Sequence, residues 1–200
     1  MATAKKTQRK RRALLIVDVQ EDFVEGGSLG VDGGRELAER IAVDLLPSDC
    51  PYDLIVTTQD WHIDPGTHFS DQPDFVSSWP VHCVAGSSGA EILPAITDAL
   101  KLISTPQDRI LKGQYEDAYS GFMGANGYGD TLAQVLNESD IERVDVVGIA
   151  SDHCVAATAR DSAAEGFRTR VLKDYTVGID SKRIDAIYDV ELPGLGIKVA

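Results

Sequence analysis

The sequence predicts an α/β protein, a three-layer α/β/α sandwich around a central, mostly parallel sheet. Three observations lead there. Short apolar runs alternate along the chain with segments whose apolar residues recur at helical spacing. The apolar runs are continuous rather than alternating, as in strands buried on both faces. Polar side chains suited to chemistry fall just after those runs, where a doubly wound fold places its ligands.

The elements follow in order. Residues 13–18 (ALLIVD) read as the first buried strand. Residues 35–46 carry Leu37, Ile41 and Leu45 at helical spacing and stop at Pro47. Residues 53–58 (DLIVTT) read as a second buried strand, and a long loop rich in Pro, Gly and Ser covers about residues 60–89. Residues 92–103 fit a helix if Pro94 sits in its first turn. Residues 109–112 form a short strand, 131–137 a helix, 144–149 another strand, and 152–166 a helix ended by Gly166. Residues 168–172 are a fifth strand. Right-handed crossovers between parallel strands then put helices on both faces.

A chain of 200 residues favours one domain with a real core. No apolar run is long enough to cross a bilayer, and no apolar segment follows the N-terminal charges, so a cytoplasmic protein is expected. The net charge is −13, but it is unevenly spread. Lys5, Lys6, Arg9, Lys10, Arg11 and Arg12 all precede the first strand, so residues 1–12 are expected to be a basic, disordered tail and 13–200 the domain. The remainder is strongly acidic. Such a body repels nucleic acid and anionic membranes, which leaves a small molecule as the expected partner of a monomer or homodimer. Three cysteines, an odd number, argue against a disulfide framework and leave room for a free thiol.

The strand ends carry the chemistry. Cys154 falls in the first turn of a predicted helix, where free N–H groups stabilise a thiolate and can hold an oxyanion. A cysteine is more often a small buried hydrophobe, and that reading is kept for Cys50 and Cys83. Asp18 ends an apolar strand, where an unpaired carboxylate is expensive to bury. Lys112 ends another strand and supplies the partner, which makes Asp18 a candidate general base for the thiol. Asp60, His62, His68 and His82 gather in the long loop, and Asp-x-His puts two ligands on one side of an extended segment. Carboxylate plus imidazoles suits divalent Zn, Mn or Fe. Phe23 and Trp79 could form a slot for a flat ring, with Tyr119 nearby, while Trp61 and Phe69 read as loop packing.

These stretches resemble a family. Ile16-Val-Asp-Val-Gln-Glu-Asp-Phe23, followed by Glu25-Gly-Gly-Ser-Leu29, is similar to the first motif of the nicotinamidase/pyrazinamidases, which belong to the isochorismatase-like cysteine hydrolases of Rossmann-like fold. Asp60-Trp-His-Ile-Asp-Pro-Gly-Thr-His-Phe-Ser70 resembles the family's metal loop, and Trp79-Pro-Val-His-Cys-Val-Ala-Gly86 its third motif. Lys112-Gly113, Tyr119-Ser-Gly-Phe122 and Gly148-Ile-Ala-Ser-Asp-His-Cys-Val155 complete the set. The resemblance implies a catalytic triad of Asp18, Lys112 and Cys154. It implies metal ligands Asp60, His62 and His82, with His68 matching a ligand found in only part of the family. It further implies ring packing by Phe23 and Trp79, a pocket wall at Tyr119, an oxyanion hole of the Ala150 and Cys154 amides, and a cis Ile149–Ala150 bond. The implied reaction is hydrolysis of nicotinamide to nicotinate and ammonia through a cysteine thioester, with pyrazinamide as a second substrate, one bound divalent Zn, Fe or Mn, and a place in NAD salvage. Three rivals fit less well. A metal-free amidase of carbamoyl compounds leaves Asp60, His62 and His82 unused, isochorismatase chemistry needs no thiol, and a non-catalytic scaffold needs no triad.

Overall fold

A computed structural model describes residues 9–200. Six strands form one sheet: β1 (Arg11–Val17), β2 (Leu54–Asp60), β3 (Gln107–Lys112), β4 (Ile141–Ile149), β5 (Arg168–Val177) and β6 (Lys198–Val199). Their order is β3-β2-β1-β4-β5-β6, and every pairing is parallel. The helices are α1 (Gly34–Leu45), α2 (Pro94–Lys101), α3 (Leu132–Glu138), α4 (Cys154–Ala164) and α5 (Ser181–Ala186), the last running through a π-helical turn at Ile187–Glu191.

The continuous apolar runs have a direct physical cause. Along β1, Leu14 and Ile16 point into one core with Leu37, Ala38 and Ile41 of α1 and Ile96 of α2. Ala13, Leu15 and Val17 point into the other, with Leu132 and Leu136 of α3 and Val155, Ala156 and Ala159 of α4. Both faces are covered, so every position from Ala13 to Val17 is apolar and buried. α3 starts with a reciprocal cap, Thr131 accepting from the Gln134 N–H while the Gln134 side chain accepts from the Thr131 N–H. α2 begins at Pro94, the first-turn placement that the sequence required.

The N-terminal expectation needs correction. Residues 1–8 of the expected tail lie outside the described residues. Arg11 and Arg12, assigned to the tail, open β1 and pair with Ile141 and Arg143 of β4. Arg9 meets Asp53 at 2.6 Å and Lys10 meets Glu142 at 2.5 Å. Of the two basic residues that extend the strand, Arg12 stands 3.7 Å from Asp145, and its backbone N–H donates to Asp53 Oδ2 at 2.8 Å. The expected strand of residues 168–172 also continues to Val177, and the helix expected from residue 152 begins at Cys154.

The strand order fixes the site. The chain leaves β1 for β2 and β3 on one side, then returns to the other side of β1 as β4. A crevice therefore opens beyond the carboxyl ends of β1 and β4, the switch point where such sheets bind ligands. Gly148 lets the two strands close there. It has φ +117°, and a Cβ on it would fall 2.1 Å from the carbonyl oxygen of Val17.

Candidate active site

Asp18 follows β1 directly, with φ 49° and no solvent exposure. Thr58 Oγ1 donates to its Oδ1 at 2.5 Å. Lys112 Nζ lies 2.8 Å from Oδ2, but the angle is poor, so Oδ2 pairs electrostatically while lacking an aligned donor. That leaves one carboxylate oxygen oriented and the other able to take a proton.

Lys112 ends β3 and is wholly buried. An isolated ammonium would be untenable there. Its Nζ touches Asp18, donates to Asp60 Oδ1 and to the Ala118 carbonyl at 2.7 Å, and lies 3.8 Å from Cys154 Sγ. Burial pushes its pKa down, but Asp18 and Asp60 outweigh burial and raise it well above the ordinary lysine value. Lys112 is a fixed cation.

Cys154 opens α4, and its Sγ joins Asp18 and Asp60 in a cluster whose nearest polar atoms all lie within 4.8 Å. The sequence suggested a depressed thiol pKa. The structure corrects this: burial raises it well above the ordinary value, Lys112 only opposes the rise, and Asp18 adds to it. Burial also raises the Asp18 pKa, against Lys112. The Ile149–Ala150 peptide is cis. Among the described residues, neither the Ala150 nor the Cys154 N–H has a hydrogen-bond partner, so both donors are unused.

The second cluster is His62, His68 and His82, all buried, with ligand atoms within 4.8 Å of one another. Asp60 Oδ2 completes it, 3.8 Å from His62 Nε2 and 4.0 Å from His82 Nε2. His62 Nδ1 meets the Gly113 carbonyl at 2.5 Å and His82 Nδ1 the Pro80 carbonyl at 2.7 Å. Those bonds protonate Nδ1 and turn Nε2 inward as a lone pair, the tautomer a metal ligand needs. His62 Nε2 and His68 Nδ1 are buried without any partner. Burial lowers the His82 pKa to about 4 and lowers that of His68, which keeps both rings neutral. For Asp60, burial pushes the pKa up, but the Lys112 ammonium holds it below the ordinary carboxylate range. One carboxylate, neutral imidazoles and orphaned inward nitrogens fit a divalent transition metal. Phe69 packs edge-on to His62, at 5.1 Å between ring centroids, so loop packing here means packing against the ligand set.

A cleft of about 610 Å³ opens beside both clusters, lined by Phe23, Trp79, Tyr119, Ala150, His153 and Cys154 among others. Trp79 is buried and donates through Nε1 to Tyr119 Oη at 3.0 Å. His153 stands edge-on to Trp79, 5.5 Å between centroids. All the sequence-derived site residues thus converge on one end of the sheet. Cys83 is buried beside His82, with burial raising its thiol pKa, and Cys50 Sγ donates to the Leu45 carbonyl at 3.5 Å. Both have packing roles. Sequence reasoning missed Gln20, Thr58, Asp152 and the Ala118 carbonyl. Gln20 and Asp152 lie within quoted motifs, but nothing in residue type or spacing separates them from ordinary polar loop residues.

The isochorismatase domain family matches residues 12–188. The chain belongs to the isochorismatase family. Within that family, it is 49% identical over 171 residues to the nicotinamidase/pyrazinamidase of Mycobacterium tuberculosis, covering 85% of this chain and 88% of that protein. A nicotinamidase/pyrazinamidase structure from Acinetobacter baumanii superposes with a TM-score of 0.80 at 34% identity, covering 96% of each chain. A pyrazinamidase of Pyrococcus horikoshii in complex with zinc gives 0.76 at 31% identity, over 95% of this chain and 98% of that one. This isochorismatase-family chain therefore shares its fold with proteins named for cleavage of aromatic carboxamides.

Proposed function

We propose that this protein is a nicotinamidase, which hydrolyses nicotinamide to nicotinate and ammonia, accepts pyrazinamide, and serves pyridine-nucleotide salvage. The observation that carries the reading is the placing of Asp18, Lys112 and Cys154 against the Asp60/His62/His68/His82 cluster at the floor of an aromatic cleft. The names of the relatives support the substrate class.

Asp60, His62, His82 and His68 would hold one divalent metal, with zinc first among Zn, Fe and Mn because the Pyrococcus neighbour carries it. Such a metal supplies a Lewis-acid contact for the nitrogen of the substrate ring. Phe23, Trp79 and Tyr119 flank the ring and exclude water. Asp18 Oδ2 takes the proton of Cys154, and the sulfur attacks the carboxamide carbon. The proton transfer moves a negative charge from oxygen to sulfur without creating one, and Lys112 touches both ends. The Ala150 and Cys154 N–H groups donate to the oxyanion. Asp18 then returns the proton to the departing ammonia. Water, deprotonated by Asp18, cleaves the thioester, releases nicotinate and restores the thiol. The acidic body supports a small-molecule partner over nucleic acid or membrane, in a cytoplasmic monomer or homodimer. No helix of the described residues is long and apolar enough to cross a membrane.

Ammonia release from nicotinamide tests the reading, before and after a chelator, with Cys154→Ala in parallel. Release that needs both the metal and Cys154 is expected. No release from metal-replete wild type would remove the substrate, and near-normal release by Cys154→Ala would remove the covalent route.

A further inference from the structure

The two oxygens of Asp60 face different neighbours. Oδ2 belongs to the histidine cluster. Oδ1 accepts from the Lys112 ammonium, and Asp60 also forms a group with Asp18 and Cys154 in which each residue offers a ligand atom within 4.8 Å of the others, all buried. Two carboxylates and a thiol are ligands for zinc or cadmium. A carboxylate shared between two such groups is the layout of a two-metal centre. One position of that centre already holds a cation, and it is not a metal. Lys112 Nζ contacts Asp18 Oδ2 at 2.8 Å, Asp60 Oδ1, and Cys154 Sγ at 3.8 Å, the full membership of the second group, and the Ala118 carbonyl at 2.7 Å closes its shell.

We propose that the Lys112 ammonium occupies a second metal position and keeps soft divalent cations off the Cys154 thiol. The chemistry makes such a guard necessary. The thiol sits one carboxylate away from a cluster suited to binding zinc, and a thiolate binds zinc more readily than a carboxylate does. Metal entering the second group would displace the thiol proton and tie up the sulfur lone pair needed for attack. The ammonium prevents this in two ways. It fills the space between the three ligand atoms, and its charge repels a divalent ion in a medium where burial leaves little screening. Being tethered to β3 and singly charged, it pairs with Asp18 and Asp60 without taking the sulfur as a ligand. Holding Asp18 in place is a separate duty. Loss of either duty lowers activity, so activity does not distinguish them, whereas metal stoichiometry does. The inference rests on the metal-ligand reading of Asp60 and the histidines, and not on the choice of amide substrate.

The test is a cadmium titration of purified wild type, Lys112→Met and Lys112→Gln, each with and without Cys154→Ala. It follows bound metal per chain, the ultraviolet cadmium–thiolate charge-transfer band, and the rate of Cys154 alkylation by iodoacetamide. Wild type is expected to show no Cys154-dependent band, with alkylation unchanged by excess cadmium. The folded Lys112 variants are expected to bind one further equivalent, show a band that Cys154→Ala removes, and alkylate about tenfold or more slowly when cadmium is present. The resident site is judged separately by the first equivalent bound to wild type. The inference is overturned if wild type develops the Cys154-dependent band. It is equally overturned if either Lys112 variant, folded by circular dichroism, gains neither metal nor band. The wild-type arm needs no Lys112 substitution, so a Lys112 variant that fails to fold does not remove the test.

Discussion

The side-chain amide of Gln20 pairs with the main chain of Asp60 as a neighbouring strand would. Gln20 Oε1 accepts from the Asp60 N–H at 2.8 Å, and Nε2 donates to the Asp60 carbonyl at 2.9 Å and to that of Ala90 at 2.9 Å. Gln20 is fully buried two residues beyond Asp18, so one side chain ties the base-bearing segment to the metal-bearing one. Gln20→Leu should strand those main-chain groups and destabilise the protein by about 2–3 kcal/mol. Calorimetry should show a melting point lower by about 5–10 °C. Competition with a chelator should show metal held about tenfold more weakly, because Asp60 loses its outer support. Unchanged metal affinity would mean that Asp60 is oriented by Lys112 alone.

Thr58 gives a cleaner separation of positioning from binding. Its hydroxyl orients Asp18 Oδ1 and touches nothing in the cleft. Thr58→Val keeps the shape and deletes the donor. We expect kcat to fall about tenfold with KM unchanged, as for a lost hydrogen bond to a charged group. Thr58→Ser should restore most of the rate. Steady-state kinetics on both variants decides, and a change confined to KM would contradict the assigned role.

Asp152 predicts an acid limb of stability. Burial pushes its pKa up, but His153 and the N–H groups of Asp180 and Ile179 outweigh that and hold it at about 2, against 3.8 for an ordinary aspartate. A depressed carboxylate stabilises the fold fully above its unfolded value and loses that contribution as pH falls through the folded one. The stability difference between wild type and Asp152→Asn should be constant near neutrality and shrink between pH 3.8 and about 2. Urea titrations across that range measure it. A difference that persists below the lower value would assign the effect to packing.

Tyr119 holds Trp79 by its hydroxyl, which also donates to the Val76 carbonyl at 3.3 Å. Tyr119→Phe retains the ring and releases both bonds. KM for nicotinamide should rise about three- to tenfold, with kcat changed less, because the indole is no longer fixed before substrate arrives. A fall in kcat alone would place Tyr119 in the chemical step.

Much of this was legible in the sequence for identifiable reasons. β1, β2 and β4 announce themselves because burial on both faces favours continuous apolar stretches, at residues 13–17, 54–56 and 146–147, so Asp18 and the residues after Ile149 stand out against them. The edge strand β3 was read short, since Gln107 is exposed and Asp108 only half-buried, and both are polar and leave no apolar signal. β6 and the π-helical turn are too brief or too irregular to show a period. Among the site residues, types that rarely sit in a core were found: Lys112, Asp60 and the histidines. Gln20, Thr58 and Asp152 were not, because their importance lies in pairings across 40 residues for the first two and 28 for the last, and no local pattern encodes those. The thiol pKa was misread for the same reason, since the helix end is local and visible while burial depends on the whole assembled fold.

Gly148 sets a length that the catalytic side chains cannot set for themselves. With a hydrogen where any other residue has carbon, β4 lies against Val17 closely enough that the thiol-bearing and carboxyl-bearing ends of two neighbouring strands are spaced by main chain alone. A single methyl at Gly148 would alter that spacing while leaving every catalytic residue in the sequence untouched.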